Sequence, residues 1–127
     1  MFSSTQIGGF MIGLVDVCKT PIPPIPHPNM AMSMMTIPIP VNVLTLGGPK
    51  HNMASIRPIS LMDTAGVGGG IISQRFMAKQ RDLSGAFTYI TRGTPTTRVT
   101  SIGITNGFNC GSCKLLSANF RELVLCA

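Results

Sequence analysis

Apolar and polar positions alternate in short runs along this chain, and glycine or proline cuts each run before it grows long. Met30, Met32 and Met34 stand two apart. A two-residue period puts side chains on one face of an extended strand. Residues 1–17 are apolar with glycine breaks and read as short strands and turns. Phe120-Arg-Glu-Leu-Val-Leu-Cys126 reads as a last strand. No window sustains a period of 3.6, so helix content should be low. The pattern predicts an all-β fold.

One pattern occurs twice. Residues 42–56 and 88–102 align without a gap at an offset of 46. Thr45, Gly47, Pro49, Ser55 and Ile56 fall on Thr91, Gly93, Pro95, Ser101 and Ile102. Each copy is a β-rich run, a Gly-x-Pro step and a second alternating run, which is a hairpin signal. Two copies predict pseudo-symmetric internal repeats related by an approximate rotation. The segment Cys18–Asn29 holds five prolines between Pro21 and Pro28. Proline excludes helix and a central strand there, so an extended path along the surface or across an apex is expected. Gly68-Gly69-Gly70 marks a sharp bend. It lacks the Gly-Lys-Ser/Thr ending of a phosphate loop, and Ile71-Ile72-Ser73 after it is strand-like. Thr105–Cys113 reads as a turn-rich loop.

Composition sharpens this. The chain is 44% hydrophobic but only 11% charged, against about 25% charged in ordinary domains. So much neutral surface invites a permanent partner. The net charge is +6, but the basic residues are scattered, with one Tyr and no Trp. A nucleic-acid binder concentrates its basic residues on one face, so nucleic acid is not the expected partner. The apolar run Ile7–Val17 follows no basic residue and is too short to span a bilayer, so no signal peptide is read. A cytosolic start is expected, where four cysteines make no disulfide framework.

Catalytic material is sparse. Asp16, Asp63, Asp82 and Glu122 are unpaired in any acid–base motif. A Cys110–His51 nucleophile pair has no recognisable signature. The chain is therefore read as non-enzymatic. Cys110-Gly-Ser-Cys113 has zinc-knuckle spacing. With His27 and His51, both in turn-like segments, it would close a Cys₂His₂ structural zinc site, Cys18 being a substitute ligand. Redox-active or free thiols, and a His51 that only braces a turn, are the alternatives.

The ordered series Asp16-Val-Cys18, Thr20-Pro21, Pro26-His-Pro-Asn-Met-Ala31, Gly48-Pro-Lys-His-Asn52, Asp63-x-Ala-Gly-Val67, Leu83-Ser-Gly-Ala-Phe87 and Gly93-Thr-Pro-Thr-Thr-Arg98 resembles the PAAR-like (DUF4150) proteins of type VI secretion systems. The resemblance covers nearly the whole chain. It implies a small cone of short strands that caps the trimeric spike protein VgrG, sharpens a contractile injection device and can carry an effector or adaptor. In the PAAR family proper, a metal held by His and Cys pins the apex. Here the signature is degenerate, His27 stands where relatives often have Tyr, and Cys110 and Cys113 are departures.

The resemblance leads to one domain over residues 1–127, with no room for a fused effector after the second hairpin. It implies a passenger made in the bacterial cytoplasm and expelled through a target membrane on the spike. A bacteriophage tail tip and a freestanding zinc-binding module are the alternatives. Capping a trimer needs three similar contacts from one chain. The two hairpins supply two, and the N-terminal segment through Met30–Met35 is expected to supply the third. Apolarity and strand placement point to Phe10, Met11, Met32, Met34, Phe87 and Val124 for the joint, with one copy per trimer.

Overall fold

The computed structural model describes residues 1–19 and 23–125. Ten strands and a single 3-10 turn, Ser33–Met35, make up its regular structure. The strands are β1 (Gly9–Cys18), β2 (Ile25–Met32), β3 (Leu44–Thr45), β4 (Gly48–Pro49), β5 (Ile56–Arg57), β6 (Gln80–Asp82), β7 (Ala86–Thr91), β8 (Thr94–Thr96), β9 (Ile102–Thr105) and β10 (Cys110–Ser117). Six form an antiparallel sheet in the order β2-β1-β10-β9-β6-β5. The fold is all-β, as the short alternating runs predict.

Both copies of the repeat are hairpins, β3–β4 and β7–β8. Their two-residue turns match: Leu46-Gly47 at φ 56 and 83, Arg92-Gly93 at φ 50 and 80. Positive φ at both turn positions suits the twist of paired strands, and glycine takes the second at no steric cost. The likeness runs past the turn. Asn52 N–H donates to Ser55 Oγ at 3.2 Å, and Arg98 N–H donates to Ser101 Oγ at 3.0 Å. Ser55 N–H returns to Asn52 O, and Ser101 N–H to Arg98 O, each at 3.0 Å.

The proline segment is extended from Ile25 and forms the edge strand β2, where Pro26 and Pro28 break no central ladder. Thr20, Pro21 and Ile22 lie outside the described residues. Three local expectations change. Ile71–Ser73 is a turn, not a strand; Gln74 N–H closes it on Gly70 O at 2.9 Å. The Thr105–Cys113 loop shrinks to a turn over 106–109, and Cys110 opens the eight-residue strand β10. The terminal strand is reduced to a bridge, Leu123 opposite Phe2, and Cys126 lies outside the described residues.

The interior is largely polar. Its buried apolar side chains are few, Met11, Ala31, Ala86 and Val124 among them, while Arg57, Lys50, Lys114, His51 and Gln80 are among the largest fully buried ones. β1 illustrates the inversion: Val15 is exposed, whereas Asp16 and Cys18 are buried.

Candidate functional site

At one end of the sheet, three backbone segments close on one another. Ser4 N–H donates to Thr97 O at 3.0 Å, Thr97 N–H to His51 O at 3.2 Å, and His51 N–H to Ser4 O at 2.9 Å. A second cycle repeats the pattern. Gln6 N–H meets Pro49 O, Met53 N–H meets Pro95 O, and Val99 N–H meets Phe2 O, each at 2.9 Å. Within each cycle a segment gives to one neighbour and takes from the other, and the two cycles run in opposite senses, which is a threefold arrangement within one chain.

Each segment belongs to a hairpin-like unit. Leu44 stands opposite Pro49 and Ile90 opposite Pro95. In the third unit Leu123 stands opposite Phe2. Where the other units turn, Val124 N–H meets Met1 O at 2.7 Å and the Met1 amine meets Val124 O at 3.2 Å. The third unit is therefore built from the N-terminal segment together with Leu123 and Val124, and Met30–Met35 lies outside it. Sequence reasoning named the N-terminal segment but missed its partner, because no contiguous run carries both.

Equivalent places in the three units are apolar and open to solvent. Leu44, Ile90 and Leu123 are 60%, 60% and 52% exposed. Val41, Phe87 and Phe120, each three residues earlier, are exposed too, as are Ile37, Leu83 and Leu116. Of the residues expected at a joint, Phe87 falls in these triads. Met32 and Met34 are exposed outside them, and Phe10 is half-buried opposite Met32 in β2. Met11 and Val124 are buried inside the chain itself, so they act as core.

Polar groups lock the units together from within. Lys50 from the first unit pairs with Glu122 of the third, and its Nζ also donates to Tyr89 Oη of the second at 2.9 Å. Tyr89 and Ser3 hydroxyls donate to Glu122 at 3.0 and 2.8 Å. Burial would raise the Glu122 pKa, but bonds from Lys50, Ser3 and Tyr89 outweigh it and hold the carboxyl low. Beneath the cycle, Lys114 Nζ reaches Ser4 Oγ at 2.9 Å, Thr97 Oγ1 at 3.3 Å and Asp82 Oδ2 at 3.2 Å. Arg57 meets the same carboxylate at 3.3 Å. Burial would raise Asp82, yet Lys114 and Arg57 prevail and lower it. Burial pushes Lys114 down to about 8 against the pull of Asp82. Burial, then Lys114 and Arg57, push His51 down to about 2, so its imidazole is neutral.

The expected Cys₂His₂ set does not come together. Cys110 and Cys113 lie three apart on β10, which turns them to opposite faces of the strand. His51 is buried beside Ser4, its Nδ1 3.2 Å from Ser4 Oγ. His27 sits on edge strand β2. Among the described residues, a different group converges: Asp16, Cys18 and Asp63, all buried, with ligand atoms within 4.8 Å of one another. The signal for it was Asp-x-Cys on a strand, since a two-residue step keeps both side chains on one face.

An all-β chain that closes threefold on itself, with apolar triads at equivalent places, is the class of molecule this geometry defines. The family model for the toxin PAAR-like domain matches residues 9–112. The chain belongs to that family. No curated protein and no solved structure matches it.

Proposed function

We propose that this chain is the non-enzymatic tip of a contractile injection device, seated as one copy on the trimeric spike protein VgrG of a type VI secretion system. Family membership points to a spike-tip or toxin-associated role. The observation that carries the finer reading is the threefold backbone cycle through Ser4, His51 and Thr97. A homotrimer ends in three identical edges, and a single chain satisfies all three only by offering three near-equivalent ones. The hairpin units do so, and their apolar triads supply a joint worth about 25 cal/mol for each Å² of apolar surface covered. The low charge of the chain suits burial there, and exposed backbone at the unit edges can continue the sheets of the trimer.

In this reading the chain is made in the bacterial cytoplasm, leaves on the spike, and brings any effector or adaptor with it. The test is light scattering on a mixture with purified spike trimer. One copy per trimer is expected. Three copies per trimer, or no complex at micromolar concentration, overturns the proposal.

A further inference from the structure

The chain has four acidic residues, and they divide into two kinds. Asp82 is paired with Arg57 and Lys114, and Glu122 with Lys50. Asp16 and Asp63 form no ion pair among the described residues, although both are fully buried. Two uncompensated carboxylates in one dry site are costly.

What surrounds them is a set of donors and acceptors from three parts of the chain. Asn29 Nδ2 reaches Asp16 Oδ2 at 2.7 Å. Asn106 bridges Asp16 and Asp63, at 2.5 Å from Asp63 Oδ2, and Asn109 lies against Asp16. Met77 N–H adds a bond to Asp63 Oδ2 at 2.8 Å. The other oxygen, Asp63 Oδ1, is sealed from solvent and has no hydrogen-bond partner among the described residues. Cys18 Sγ stands 3.7 Å from Asp16 Oδ1. Burial, then Asp16 and Asp63, push its thiol up to about 11, so it stays protonated while the carboxylates alone face it.

We propose that Asp16, Asp63 and Cys18 hold one divalent cation of the zinc type. Donors at about 2.0–2.3 Å from a tetrahedral ion lie about 3.3–3.8 Å apart, so a group whose ligand atoms lie within 4.8 Å of one another encloses the ion by closing about 1 Å. The ion supplies the missing countercharge and occupies the orphaned oxygen of Asp63. The thiolate selects a zinc-type ion over calcium or magnesium, which take oxygen donors alone. On binding, the thiol proton passes to solvent as the sulfur–metal bond forms. Turned about, an amide of Asn29, Asn106 or Asn109 offers its oxygen as a further ligand. The site would tie the far end of β1 to the loop after β5 and to the β9–β10 turn.

The test strips the full chain with chelator and titrates Co²⁺. One equivalent is expected to bind, with a sulfur-to-cobalt charge-transfer band. Cys18→Ser should remove the band, and Asp63→Asn should weaken binding by about tenfold or more. Cys113→Ser should change neither. Zn²⁺ should raise the melting temperature of the stripped wild-type chain, a readout that requires no variant to fold. Absence of saturable binding to the wild type overturns the proposal. So does a band that survives Cys18→Ser and disappears with Cys110→Ser.

Discussion

Phe2 and Leu123 meet across an antiparallel bridge from opposite ends of the chain, in the register that Pro49 holds with Leu44 and Pro95 with Ile90. The Phe2 ring also lies edge-on to Phe120, with centroids 5.5 Å apart. This pair closes the third unit. Phe2→Ala should cost about 1–3 kcal/mol, less than a fully buried ring because Phe2 is half-buried. Deleting residues 1–5 removes both bonds that Ser4 makes in the cycle and should abolish cooperative unfolding. Urea denaturation of the two variants measures both effects.

The two turn glycines give a matched pair. A Cβ at Gly47 or Gly93 meets nothing within 4 Å, so only the backbone resists it. Each Gly→Ala should cost about 1 kcal/mol, and the two costs should agree. A marked difference in denaturation midpoint would mean that the hairpins are not equivalent.

Among the described residues, Asp82 is the sole carboxylate paired with the two buried cations Arg57 and Lys114. Asp82→Asn leaves both uncompensated and should cost about 3–5 kcal/mol or prevent folding. Lys114→Met leaves the Arg57 pair intact and should be milder. Thermal melts of the two side by side decide the order.

His51 sets a pH dependence. Its pKa falls from 6.5 to about 2 on folding, so the unfolded chain takes a proton that the folded chain refuses. Its contribution is complete above about pH 6.5 and is lost as pH falls, by about 1.4 kcal/mol per pH unit. Lys114, Arg57 and Asp82 are the charges that face it; free carboxylates begin to titrate only near pH 4. His51→Gln should flatten the stability slope between about pH 6.5 and 5 in urea titrations.

If the apolar triads form the joint, Leu44→Asp, Ile90→Asp and Leu123→Asp should each weaken binding to the spike trimer by tenfold or more, about 1.4 kcal/mol. Exposed sites tolerate such changes, so stability should move by about 0.5 kcal/mol or less. Met34→Asp, exposed but outside the triads, should weaken binding less. Calorimetric titration compares the four.

Much of the fold was legible. Period-two runs and turn glycines announced strands, and the offset of 46 announced two equivalent hairpins down to the Ser55 and Ser101 turns. The third unit was not, because Phe2 and Leu123 become neighbours only when the chain closes. The cysteine motif misled for a local reason: a knuckle needs Cys110–Cys113 in a turn, whereas pairing with β9 draws it into a strand. Apolarity singled out Phe87 for the surface as readily as Met11 and Val124, which are buried. Inside and outside are hard to tell apart when asparagine, serine and threonine fill the interior.

The third unit has a topological consequence. A chain in which Met1–Phe2 and Leu123–Val124 complete one of three like hairpins is close to a ring open at a single point. In the threefold cycle the opening between Val124 and Met1 holds the same place as the turns Leu46-Gly47 and Arg92-Gly93. Joining Met1 to Val124 by a short turn and reopening the chain at either glycine should return the same fold with its break relocated. Anything fused to such a rearranged chain would then leave from a different corner of the triangle.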